Sequence, residues 1–205
     1  SFNLDKPLGL GIAGEGKPKI KKVGSDEWYG TTLPWMSIGY ESSITPLQTL
    51  TLYNAVANDG KMVKPRFIRE IQRNGKTIQT FGPEIINEQI VKPSTIKMAR
   101  KLLEGVVENG SGKGLNITAF KVGGKTGTAQ IAVGGTSYKT KDGLKSYQAS
   151  FVGYFPADKP LYTCIVIIYN PSAGNYYGGL VAGPVFKEIA EKVYSNSLDF
   201  QQEIN

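Results

Sequence analysis

The sequence predicts an α+β domain, an antiparallel sheet with helices packed on it. Three observations carry this. Two segments, opening at Thr45 and Ser94, place apolar residues at helical spacing between helix start and stop signals. Three extended runs then follow one another between Phe120 and Asn170, the last two separated by only five residues, a hairpin length. A third helical pattern comes after them, so a sheet made of hairpins meets a helix able to cover one face.

The elements follow in order. Residues 1–34 are rich in Gly, Pro and Lys and read as a loop-rich lead-in. Within them Gly9-Leu10-Gly11-Ile12-Ala13-Gly14 spells the dinucleotide fingerprint. No apolar strand precedes it, and Gly16 and Pro18 prevent a helix after it, so no Rossmann site is expected. Thr45 caps the first helix, Pro46 takes its first position and Gln48 completes a capping box. Leu47, Leu50, Tyr53, Asn54 and Ala57 trace one face until Asn58-Asp59-Gly60 ends it. Residues 62–71 and 76–81 read as strands joined by an Asn74-Gly75 turn. The second helix runs to Glu108 with Ser94 as its N-cap, and residues 111–114 read as a flexible linker. A strand through about Ile131 follows, then a polar loop over 133–146 and strands over 147–155 and 161–170. A closing helix starts near Pro184, with Ala182, Val185, Phe186, Ile189, Ala190 and Val193 on its apolar face. Residues 195–205 remain as a tail. No internal repeat is evident.

Composition excludes whole classes of chemistry. There is no histidine in the 205 residues, which removes a Ser-His-Asp triad, a Cys-His dyad and every His-containing metal site from this chain. The single cysteine, Cys164, lies in an apolar run and reads as core, and no internal disulfide can form. No cofactor or metal is expected. The formal charge is +7, which fits nucleic acid, an anionic membrane or an anionic polymer such as the cell wall. Lysines at 17, 19, 21 and 22 and at 139, 141 and 145 lack interleaved aromatics, a helix-turn-helix pattern or zinc spacing, so a nucleic-acid partner is not expected. No apolar run reaches the roughly 20 residues that span a bilayer, and no signal segment is visible.

The most telling stretch is Gly123-Gly124-Lys125-Thr126-Gly127-Thr128-Ala129-Gln130. On a strand, Lys125 and Gly127 face one side and Thr126 and Thr128 the other. Gly127 leaves room for another backbone to approach. Such an edge suits an extended anionic peptide, with an ammonium and two hydroxyls for a carboxylate. A phosphate-binding P-loop needs glycine where this chain has Ala119, and a helix where it has Gly127. An ordinary surface strand with a solvated lysine fits the three letters alone.

The surrounding sequence decides between these. Lys125-Thr126-Gly127-Thr128-Ala129 resembles the third motif of the penicillin-binding proteins and serine β-lactamases. The match extends through Gly39-Tyr40-Glu41, Thr45-Pro46-Leu47-Gln48, Ala57-Asn58-Asp59-Gly60, Phe151-Val152-Gly153-Tyr154-Phe155-Pro156, Tyr176-Tyr177-Gly178-Gly179 and Ala182-Gly183-Pro184-Val185-Phe186. Together these resemble the C-terminal half of a class B penicillin-binding protein transpeptidase domain, and the tyrosine pair resembles the division-specific branch. The resemblance implies a partial penicillin-binding protein/β-lactamase-like fold over residues 1–205, completed by the N-terminal half of the same domain.

It also implies a serine acyl-enzyme, peptidoglycan stem peptides ending in D-Ala-D-Ala as substrate, β-lactams as inhibitors and cell-division proteins as partners. The parent would be anchored by an N-terminal transmembrane helix and work on the extracytoplasmic, periplasmic face of the inner membrane. Lys125 would be catalytic, Thr126, Gly127 and Thr128 would bind substrate, and Tyr176 and Tyr177 are candidates to line the cleft mouth; the pair equally describes surface tyrosines holding a loop. The family's S-x-x-K and S-x-N precede K-T-G. Ser94-Thr95-Ile96-Lys97 and Ser1-Phe2-Asn3 fit by letters, but the first reads as a helix start and the second is three letters at a terminus. The nucleophilic serine is therefore expected to be absent from this chain, which would leave it inactive alone. A related D,D-carboxypeptidase or β-lactamase-like hydrolase shares K-T-G, and a non-catalytic peptidoglycan-binding module would use it for docking only.

Overall fold

A computed structural model describes residues 2–132, 138, 145–172 and 174–197. The lead-in contributes a two-residue strand β1 (Lys19–Ile20), a short helix α1 (Thr32–Ser37) and β2 (Ser42–Ser43), which pairs with β1. Its glycine-rich start is closed around its own carboxylate. Glu15 accepts the amides of Gly9 and Leu10 at 3.0 and 2.9 Å. The Leu10 amide above all holds that carboxyl below its ordinary pKa. The amides of Gly9 and Leu10 are thus taken by a side-chain carboxylate, and the first helix to follow them is α1.

Helix α2 (Pro46–Ala57) has the expected capping box: the Gln48 amide donates to Thr45 Oγ1, and the Thr45 amide donates to Gln48 Oε1. Gln48 is buried, and its Nε2 also donates to the carbonyls of Leu4 and Lys6, pinning the lead-in to the helix. The strand expected over 62–71 is two strands, because Pro65 cannot donate to a ladder. β3 (Met62–Val63) turns away, while β4 (Glu70–Arg73) joins β5 (Lys76–Thr80) across the Asn74-Gly75 turn in a fully exposed hairpin. β3 pairs instead with β6 (Ile85–Asn87), a contact between distant residues that local pattern did not reveal.

Helix α3 (Pro93–Glu108) starts one residue before Ser94. Lys92 occupies the N-cap with no side-chain bond, Pro93 fills the first position, and Ser94 is simply within the first turn. The expected linker contains a 3₁₀ turn at Lys113–Leu115 that buries Leu115. The main sheet has the order β7 (Gly123–Ile131), β8 (Ser146–Phe155), β9 (Tyr162–Tyr169), all antiparallel. Helix α4 (Gly178–Asn196) begins earlier than expected, so Pro184 lies inside it and Leu180 loses its helical donor. The tail over 198–205 and most of the loop over 133–146 lie outside the described residues.

Alternation along β8 explains the layers. Phe151 and Phe155 point one way and meet Phe186 of α4, with ring centroids 4.7 and 5.8 Å apart. Tyr154 points the other way and packs with Ala57 of α2, Ala157 and Leu103 of α3. The sheet is therefore sandwiched, α4 on one face and α2 with α3 on the other. A smaller cluster of Ala55, Met62, Ile90 and Ile96 packs β3 on α2 and links both to the start of α3. Cys164 packs on the α4 side, where burial raises its thiol pKa.

Candidate active site

Close packing fixes where β7 sits. A Cβ on Gly124 would lie 2.5 Å from the Phe151 ring and 2.7 Å from the Val152 carbonyl, so only glycine lets this strand lie flat on β8. From there the chain emerges: Gly123 and Gly124 are buried, whereas Lys125 and Thr128 are exposed.

One hydrogen bond sets the polarity of the whole strand. The Gln130 amide donates to the Tyr40 hydroxyl at 3.2 Å, away from β8. Strand groups alternate, so the N–H and C=O groups of Thr126 and Thr128 also point to this outer side, while those of Lys125 and Gly127 pair with β8. Lys125 Nζ donates to the Thr126 carbonyl at 2.9 Å, which places the ammonium over the open margin.

The two threonines face α4, as period two requires. Thr126 Oγ1 lies 2.7 Å from Ser111 Oγ. Thr128 Oγ1 accepts the Gly178 amide at 3.0 Å, which leaves its own hydrogen free to donate outward. The start of α4 can come this close because Gly178 has no side chain: a Cβ there would be 2.3 Å from the carbonyls of both Gly127 and Ser150. Tyr177 immediately precedes this contact and is exposed; Tyr176 stacks on Tyr147 at 4.0 Å and touches the Tyr177 ring at 4.6 Å. The Tyr177 hydroxyl beside it raises the Tyr176 phenol pKa. Lys125, Thr126, Gly127, Thr128, Tyr176 and Tyr177 are thus brought to one region.

The S-x-x-K letters are not. Lys97 lines a surface cleft of about 720 Å³ with Asp59, Arg100, Glu104 and Asp158, and no residue of β7 takes part in it. Ser1 of the S-x-N letters lies outside the described residues. Ser111 and Tyr40 also reach this region, and neither is legible as a site residue in the sequence. Ser111 sits in a stretch that reads as linker, and Tyr40 reaches Gln130 across ninety positions of sequence. Among the described residues no cluster of His, Cys, Asp or Glu could hold a metal ion, and no helix is long and apolar enough to cross a membrane.

An antiparallel sheet with helices on both faces and K-T-G on an outer strand defines a class, and comparison with known proteins narrows it. The family described as the penicillin-binding protein transpeptidase domain matches residues 1–191. The chain belongs to this family, in its class B branch. It is 32% identical over 196 residues to stage V sporulation protein D of Bacillus subtilis, covering 92% of this chain and 28% of that protein. It is 34% identical over 163 residues to the probable peptidoglycan D,D-transpeptidase PenA of Neisseria flavescens, covering 79% and 37%. Apo penicillin-binding protein 3 of Mycobacterium tuberculosis superposes with a TM-score of 0.79 at 31% identity, over 95% of this chain and 44% of that one. The same protein has been crystallised with ampicillin. The chain therefore spans about a third of the length of the curated relatives it matches.

Proposed function

We propose that this chain is the C-terminal part of the transpeptidase domain of a class B penicillin-binding protein, and that the whole protein cross-links peptidoglycan stem peptides through a serine acyl-enzyme. The outer margin of β7 supports the reading most directly. There the Lys125 ammonium lies over the outward-facing groups of Thr126 and Thr128, and the Thr128 hydroxyl, on the α4 face of the same strand, keeps a hydrogen to donate. A peptide ending in D-Ala-D-Ala adds to that margin as an extra strand. Its carboxylate is held by the ammonium and the threonine hydroxyls, and the penultimate carbonyl oxygen receives the Thr128 amide.

The attacking serine, with its own amide as second oxyanion donor, comes from outside residues 1–205. Its oxygen adds to the penultimate carbonyl, the C–N bond to the terminal D-Ala breaks, and that amine leaves carrying a proton. The amine of a neighbouring stem then attacks the ester and returns the hydroxyl to the serine. A β-lactam enters by the same route, its strained amide opening on the serine. Losing one oxyanion donor costs about 3–4 kcal/mol of transition-state stabilisation, so these residues alone do not catalyse. The rest of the domain covers the outer edge of β9, an apolar strand that would otherwise be open to aggregation. Relatives such as the peptidoglycan D,D-transpeptidase FtsI of Buchnera aphidicola favour this activity. An N-terminal membrane anchor, an extracytoplasmic location and a place in cell division are the parts of the proposal that rest on the family resemblance alone.

The test is labelling with a fluorescent penicillin. The full-length protein is labelled on a serine outside these residues, and the 205-residue chain alone is not. Labelling at Ser94, or no labelling of the full-length protein, would overturn the assignment.

A further inference from the structure

The margin of β7 is open for only a short distance, and Tyr40 closes it. Thr126 and Thr128 are one alternation apart, so the free amides span about 7 Å, the length of two extended residues. The next outward amide, that of Gln130, is already bonded to the Tyr40 hydroxyl. This phenol is held firmly. Gly39 and Glu41, on either side of it, have φ of +94° and +54°. The Tyr40 amide donates to the Trp35 carbonyl, and its ring meets Trp35 edge-on at 5.6 Å. Glu41 is locked by Lys21 at 2.7 Å and by the Thr32 hydroxyl at 2.8 Å.

We propose that Tyr40 is a specificity-determining stop: it limits strand pairing to the last two residues of the donor peptide and forces the third to leave the sheet. This rests on the transpeptidase reading above. An antiparallel donor with its carboxylate beside Lys125 runs toward Gln130, so its third residue meets the occupied amide. A donor that does not need that amide is indifferent to the hydroxyl, whereas one long enough to reach it competes with Tyr40.

The experiment compares full-length wild type with Tyr40→Phe, which keeps the ring and removes the hydroxyl. Acylation is followed with two thioester donors, one ending at the residue opposite Thr128 and one extended by two residues, with benzylpenicillin as reference. The variant raises the long-to-short ratio by about 2- to 10-fold, the worth of one net hydrogen bond. Hydrogen exchange at the Gln130 amide speeds up in the same variant. An unchanged ratio, an equal change with all three reagents, or unaltered exchange would overturn the proposal. If wild type is acylated by none of the three, the transpeptidase reading itself falls and takes this one with it.

Discussion

The hydroxyls of Ser111 and Thr126 lie 2.7 Å apart, so a residue from the loop after α3 sets the side-chain orientation of a residue on the K-T-G strand. Ser111→Ala removes the partner and leaves Thr126 free to rotate. Acylation of the full-length protein by benzylpenicillin should fall about 2- to 10-fold, one hydrogen bond's worth. Because Ser111 is exposed, the unfolding free energy should move by no more than about 0.5 kcal/mol. Measuring both separates a positioning role from a structural one: an unchanged acylation rate would remove Ser111 from the site.

Gly178 joins α4 to β7 through its bond to Thr128, and its missing side chain makes that approach possible. In Gly178→Ala the new Cβ would lie 2.3 Å from two backbone carbonyls, neither of which is a flexible group able to swing away. The start of α4 must move outward, weakening the bond to Thr128. A destabilisation of about 1–3 kcal/mol is expected in urea unfolding, together with slower penicillin acylation. A variant of wild-type stability would show that this end of α4 shifts freely.

Much of this was legible because its causes are local. The Thr45–Gln48 capping box, the Asn74-Gly75 turn and the alternation of β7 each arise within a few residues. What escaped depends on distant partners or on one overriding residue. Pro65 splits the strand expected over 62–71, and the pairing of Met62 with Asn87 has no local signature. Ser94 has the chemistry of an N-cap, yet Pro93 fits the first helical position better and moves the start upstream. The candidate site divides in the same way. Lys125, Thr126 and Thr128 announce themselves as a motif, whereas Tyr40 and Ser111 join the site only through the fold.

Acid should loosen the support of Tyr40. The Lys21 ammonium, and after it the Thr32 hydroxyl, hold the Glu41 carboxyl below its ordinary value of 4.5. A carboxyl with a depressed folded-state pKa contributes stability that is fully present above the unfolded value and lost as pH falls through the folded one. Glu41→Gln should therefore lower Tm at neutral pH, and the gap from wild type should close as the pH drops below about 4.5. A gap of constant size across that range would mean the loss is one of shape and not of charge.

Lys125 is the residue on which the functional assignment leans hardest. Its ammonium lies over the open margin of β7 and bonds only to a carbonyl of its own strand, so it is held in place without a counter-charge among the described residues. Lys125→Ala takes away the positive potential where a substrate carboxylate would dock and where charge develops during attack. Acylation of the full-length protein should fall about 100-fold or more, the scale seen when a preorganised electrostatic donor is lost. Stability should hardly change, since the side chain is exposed and water can replace it at the Thr126 carbonyl. Lys125→Arg retains the charge but broadens the head group, and should recover only part of the rate. Near wild-type acylation in the alanine variant would exclude this ammonium from the chemistry, whatever the motif around it suggests.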